Sequence, residues 1–221
     1  MAASFLLFGS AAAYQTTINP GGDGAASTLK GYGGILDRLY GWDNLARIDD
    51  GSDQIFNPSD GWAKAQAKYA SYSQQFGYIE DLNNDGFFTE SPTWLFNVGN
   101  NFDNSIPILE NHSYQAVFSA TNPVIFANSN GGIPWYSEQS MNPLNEDHQV
   151  TFSIINNIGH PDNAIGNLAL AWEDKPYNIS DKDFNDLVVE VSVPEPSTIF
   201  LLAIGMLGLA VVGKKFCKLN S

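Results

Sequence analysis

The sequence predicts a mostly β protein, an antiparallel β-sandwich with a jelly-roll-like topology as one option, preceded by a short N-terminal helix and followed by a C-terminal transmembrane helix. Four stretches carry the main signal: SYQAVFSA (113–120), HQVTFSII (148–155), AIGNLALAWED (164–174) and DLVVEVSV (186–193). Each alternates apolar and polar residues in whole or in part, the period of a strand with one buried face. Twenty glycines and many asparagines favour turns between short strands over long helices. No crossover helix of βαβ length is visible, so a parallel α/β enzyme fold is disfavoured.

In chain order, MAASFLLFGSAAAYQT opens on an apolar run and sets Ala11 and Ala13 in the A-x-A arrangement that precedes signal cleavage. Residues 1–13 therefore read as the remnant of a signal peptide without its basic start, and the mature chain as beginning near Tyr14; a buried first strand is the alternative. STLKGYGGILDRLYG (27–41) spaces Leu29, Ile35, Leu36 and Leu39 near helical intervals after a capping Ser27 or Thr28 and stops at Gly41. That predicts the helix, against the cost of its interior glycines. WAKAQAKYASYSQQFGYI (62–79) is ambiguous, because its alanines favour a helix while the aromatic alternation after Tyr69 makes its second half a strand. One β domain over residues 14–193 is the expected organisation, with no internal repeat.

Length and composition place this domain among globular proteins: 221 residues, 43% apolar and only 15% charged, can bury a core. The formal net charge is −14, and residues 1–196 carry 24 acids against 7 bases, or −17. Such a surface repels phosphate backbones, which excludes nucleic acid as a partner and suits divalent cations. The only cysteine, Cys217, lies in the basic tail, so the body has neither a disulfide framework nor a thiolate metal site.

The tail has a character of its own. TIFLLAIGMLGLAVVG (198–213) holds no charge and is followed by KKFCK. It is a little short of the ~20 residues that cross a full hydrocarbon core, yet suffices for a thin or transient span whose lysines stay on the cytoplasmic side. VPEPS immediately before this run resembles the PEP-CTERM sorting signal of exported bacterial proteins, over residues 194–221. The resemblance implies recognition of Pro194, Glu195 and Pro196 by an exosortase in the membrane, and a mature product released or attached outside the cell.

Three acidic clusters carry the candidate chemistry. RIDDGSD groups Asp49, Asp50 and Asp53 around Gly51. EDLNNDG sets Asp81, Asn83 and Asp85 at positions one, three and five of a calcium-loop pattern, but position twelve is Pro92 rather than the closing Glu, so the EF-hand reading fails. A turn that gathers calcium ligands from elsewhere, or a tight Asx turn, remains. WEDKPYNISDKDFNDLVVEV sets Glu173 and Asp174 at one strand end and Asp181, Asp183, Asn185 and Asp186 before the next, so a hairpin would bring both acidic ends together. Alternating hard oxygens without nearby His or Cys suit calcium rather than zinc, while Phe184 and Leu187 would anchor the loop to the core. Trp172-Glu173-Asp174 followed by Asp183-Phe184-Asn185-Asp186-Leu187-Val188 also resembles DUF4114, a domain of secreted bacterial proteins with no activity to transfer.

Three functions compete. An exported, calcium-stabilised binding module would meet extracellular polysaccharide through aromatic stacking and amide hydrogen bonds. A glycan-processing enzyme would need two carboxyls about 5 or 9 Å apart across a cleft, and no pair stands out; His112, His148 and His160 lack metal-ligand spacing. A structural matrix protein would self-associate through calcium bridges. The expected reading is the first: exported, at the cell envelope or outside it, calcium-stabilised and non-catalytic.

Overall fold

The computed structural model describes residues 28–57, 60–99, 109, 114–156 and 166–192. The expected signal remnant, both limits of the 14–193 domain, the triplet Pro194-Glu195-Pro196, the apolar run 198–213, His112, His160 and Cys217 lie outside the described residues. Among those described, no helix is long and apolar enough to cross a membrane.

Two antiparallel sheets pack face to face. The larger contains β1 (Leu45–Arg47), β8 (Gln149–Ile154), β9 (Leu168–Trp172), β10 (Leu187–Ser192), β2 (Asp60–Ala67) and β5 (Gln115–Ser119), in that spatial order. The smaller is ordered β4 (Thr93–Val98), β3 (Gln74–Glu80), β6 (Val124–Ser129) and β7 (Trp135–Tyr136). The four alternating stretches of the sequence are β5, β8, β9 and β10. Three of them, β8, β9 and β10, run side by side as a meander, not the sheet-to-sheet alternation of a jelly roll.

Alternation along β9 and β10 sorts residues onto two cores. Leu170, Trp172, Leu187, Val189 and Val191 face the smaller sheet, meeting Phe76, Val124, Phe126 and Trp135. Ala169, Ala171, Val188, Val150, Phe152 and Ile154 face the other way, against Leu29, Ile35, Leu36 and Tyr40. These strands are thus buried on both faces, not one, because helix α1 (Ile35–Tyr40) and the segment before it roof the outer face. The alanines on that face leave room for the roof.

The helix is shorter than the expected 27–41. Gly31 and Gly33 sit at φ +84° and +82°, so residues before Gly34 form a turn, closed by Ile35 N–H to the Thr28 carbonyl at 2.8 Å. Its N-cap is Gly34, with no side-chain cap bond, rather than Ser27 or Thr28. The ambiguous stretch 62–79 resolves into strands throughout: β2, a turn, then β3. The alanines that favoured helix lie instead along β2, with Ala63 and Ala65 in the inner core. A register shift between Val188 and Val189 pairs them with Ala67 and Ala65, which leaves Gln66 as the extra residue and turns Ala67 to the outer core. Tertiary packing overrides alanine's helix propensity here.

In the smaller sheet, the β3–β4 register shifts between Phe76 and Gly77. A Cβ on Gly77 would meet the Thr93 carbonyl oxygen at 2.3 Å and Trp94 Cα at 2.9 Å, both backbone atoms that cannot rotate away. Gly77→Ala should lower the unfolding free energy by about 1–3 kcal/mol, the usual range for overpacking. Urea unfolding would show this as a lower midpoint at unchanged slope; an unchanged midpoint would mean that β4 moves freely against β3.

Candidate metal centre

Strand register builds this site. Gln149 and Leu187 both pair with Trp172, the last residue of β9. Just beyond, Glu173 N–H donates to the His148 carbonyl at 3.0 Å and Asp186 N–H to the Trp172 carbonyl at 3.1 Å. Asp174 N–H closes the corner on Asp186 Oδ2 at 2.8 Å. Glu173, Asp174 and Asp186 are thereby gathered at one end of the meander.

The loop between them is pinned from both cores. Phe184 is buried under α1 in the outer core and Leu187 in the inner core, so the expected anchors hold opposite faces of the sheet. The N–H groups of Ile179 and Ser180 both donate to the Pro176 carbonyl at 3.0 Å. Lys182 and Phe184, at φ +58° and +55°, flank Asp183 in a left-handed conformation that costs on the order of 1–3 kcal/mol at a non-glycine residue. The path turns Asp181 and Asp183 back toward Glu173.

Two sets of carboxylates result, each with ligand oxygens within 4.8 Å of one another: Glu173, Asp174 and Asp186, all buried, and Glu173, Asp181 and Asp183, nearer the surface. Glu173 belongs to both. It is 0% exposed, and neither of its oxygens accepts a hydrogen bond. The Ser180 and Asp186 side chains lie close enough to lower its pKa in the manner of hydrogen-bonding neighbours, without making a bond of normal geometry, while the charges of Asp181 and Asp174 raise it. Burial raises the Glu173 carboxyl above its ordinary range, and burial followed by the charges of Asp174 and Glu173 does the same to Asp186. Asp183 is pushed up to about 6, first by burial and then by Asp181. Asn185 donates Nδ2–H to Asp183 Oδ2 at 2.6 Å.

Asp174 is also where the two sheets clasp. Gln74, at the start of β3, donates its amide to Asp174 Oδ2. Trp135 Nε1–H and Asn130 Nδ2–H, from β7 and the turn before it, both donate to the Asp174 carbonyl at 3.0 Å. Asp174 Oδ1 accepts nothing and is buried. Lys68, buried, donates to the Ala70 carbonyl at 2.6 Å; burial lowers its pKa while Asp174 and Asp186 work against that. Beneath lies His148, with its ring stacked on Trp135 at 3.7 Å and Nδ1 3.0 Å from the Glu173 carbonyl oxygen; burial lowers its pKa. It braces the corner.

The other clusters lie apart. Asp81, Asn83 and Asp85 follow the far end of β3, roughly 20 Å from Gln74 at the strand's rise of about 3.4 Å per residue. There Asp81 accepts Asp85 N–H at 3.2 Å and Gly86 N–H at 2.7 Å, with Asn84 and Gly86 at positive φ. In the first cluster Asp49 is exposed, whereas Asp50 and Asp53 are buried and gain Asp147 from before β8. Arg47 pairs with both Asp50 and Asp53. Burial above all pushes Asp53 up to about 7 and Asp147 to about 8. Gln74, Asn130, Trp135, Asp147 and His148 carry no motif in the sequence; the pairing of β8 with β9 sets His148 opposite Glu173, and the packing of the smaller sheet brings Gln74, Asn130 and Trp135 to Asp174.

A pocket of about 510 Å³ opens beside Asp174, walled by Ile133, Trp135, Pro143, Leu144 and Pro176. Its polar edge includes Asn130, Glu146 and Asn178.

Two family profiles match the sequence, a domain of unknown function (DUF4114) over residues 95–194 and the PEP-CTERM protein-sorting motif over residues 192–215. The chain carries a DUF4114 domain and a PEP-CTERM sorting motif. The domain match includes the whole β9–β10 corner, while β1, β2 and β3 of the same sandwich precede it. The sorting motif marks the protein for export to the cell envelope or extracellular space and makes exosortase-type machinery its partner. No curated protein matches the chain.

The raised carboxyls set a pH dependence. Between the ordinary carboxylate value of about 4 and their folded values, the native state holds more protons than the unfolded chain, so stability falls as pH rises. For Asp183, Asp53 and Asp147, which reach about 6, 7 and 8, that window runs from about pH 4 to about pH 8. Urea unfolding in chelator should show declining stability across it, with a shallower decline in Asp147→Asn. Rising stability would mean that these groups are ionised and well paired.

Proposed function

We propose that the exported domain, residues 14–193, is a calcium-stabilised, non-catalytic surface or matrix protein that engages extracellular polysaccharide. The observation that carries the cation is Glu173, wholly buried among aspartates with both oxygens lacking a hydrogen bond. An ionised carboxylate in that setting is expensive unless a counter-charge faces it. Asp174, Asp181, Asp183 and Asp186, with Asn185 behind them, complete an all-oxygen donor set of the kind calcium prefers. A second calcium position would be the turn formed by Asp81, Asn83 and Asp85, where Asp81 already accepts two backbone N–H groups.

The polysaccharide reading draws on the pocket beside Asp174. Apolar walls edged by amides and a carboxylate suit a sugar's alternating CH faces and hydroxyls. Glu146 and Asp174 both line it, yet Glu146 accepts Tyr177 N–H at 3.0 Å and faces His148, and Asp174 holds Gln74. Carboxylates so committed favour binding over glycoside hydrolysis.

Thermal unfolding of the full chain in mild detergent, stripped with chelator and then titrated, tests the cation. Calcium should raise the midpoint more than magnesium, with about 2.7 kcal/mol of linkage at 100 times the dissociation constant, and Glu173→Gln should abolish the rise. A midpoint indifferent to calcium in a verified metal-free sample would sink the reading. For the glycan, extracellular polysaccharide should bind saturably to the wild type and weaken at least tenfold in Leu144→Asp, without release of reducing ends. Their release would instead make the protein an enzyme.

A further inference from the structure

We infer that the β9–β10 loop holds two cations bridged by the carboxylate of Glu173, an inner one with Asp174 and Asp186 and an outer one with Asp181 and Asp183. This rests on the calcium reading above. Calcium sits 2.3–2.6 Å from each oxygen, so two ligands of one ion are at most about 5 Å apart. Each triad meets that limit, with ligand atoms within 4.8 Å of one another, but the five residues do not form one such set. As these side chains stand, no single ion can meet all five carboxylates within that spacing. Two centres that share one residue can.

Glu173 has the chemistry a bridge needs. A carboxylate offers two oxygens, and here both are buried and free of hydrogen bonds, whereas one ion held through one oxygen would leave the other orphaned. Asp174, a member of the inner set, likewise has a buried and unpartnered oxygen, Oδ1. The outer set differs in kind, since Asp181 is exposed and Asp183 only partly covered. The inner ion should exchange slowly and the outer one quickly. Their proximity also makes binding interdependent, because each reorients or fixes the shared carboxylate for the other.

Stoichiometry decides the matter. The full chain in detergent, stripped and verified metal-free, would be titrated with calcium alone by equilibrium dialysis and calorimetry. Asp81→Asn serves as background, so that the distant turn contributes nothing. The expected result is two calcium ions per chain, falling to one in Asp181→Asn/Asp183→Asn, to one or none in Asp186→Asn, and to none in Glu173→Gln. The outer double variant alters surface-side groups, so it keeps the test alive should Asp186→Asn fail to fold. Manganese in place of calcium should give an exchange-coupled electron paramagnetic resonance signal in the wild type and an uncoupled one in the outer variant.

One calcium ion per chain, lost in the outer variant and indifferent to Asp186→Asn, would mean that Lys68 is the counter-charge of the inner set; the bridge fails while the calcium reading stands. Two ions that persist in the outer variant would place the second elsewhere and also overturn the bridge. No binding at all overturns both readings.

Discussion

A buried carboxylate must find hydrogen bonds, a proton or a cation, and the end of the β8–β9–β10 meander is organised around one that lacks the first. Glu173 follows directly on Trp172, whose indole fills the inner core, and its backbone is held by the pairing of β9 with β8 and β10 and by the bond to the His148 carbonyl. Its neighbours Asp174 and Asp186 are fixed by the same ladder. The backbone bonds that complete the sheet thus force acids together, and sheet pairing and charge repulsion oppose each other at one corner.

A second buried glutamate shows what the alternative looks like. Glu190, on the outer face of β10, is also 0% exposed and its carboxyl is also raised by burial. Yet it accepts Gln66 at 2.6 Å, Asn167 at 2.7 Å and Tyr40 at 3.4 Å, so β2, the residue just before β9 and the helix roof each supply a donor. That network knits α1 and the β2 bulge to the sheet. Equal burial with opposite satisfaction separates a structural carboxylate from a ligand candidate, which residue type alone does not.

The clasp at Asp174 gives the corner a mechanical role. Gln74, Asn130 and Trp135 reach across from the smaller sheet, so a cation that settles this end would also settle the packing of one sheet on the other. For a protein exported without disulfides in its body, such a staple would stand in for covalent cross-links, as a bond reversible with the ion concentration outside the cell.

Much of this was legible in the sequence. Two-residue alternation located β5, β8, β9 and β10, and the two acidic ends of one connection pointed to the corner, because both are local signals. VPEPS pointed to export for the same reason. Helix length failed at Gly31 and Gly33, where backbone freedom outweighed apolar spacing, and the alanines of β2 misled until the two-sided burial of its sheet showed why small side chains sit there. Only the tertiary structure decided that Asp147 joins Asp50 and Asp53, that Gln74 and Trp135 hold Asp174, and that Glu173 has no hydrogen bond. Those facts depend on strand register and on which face meets which sheet, and residues paired across 25 to 100 positions leave no mark on their local sequence.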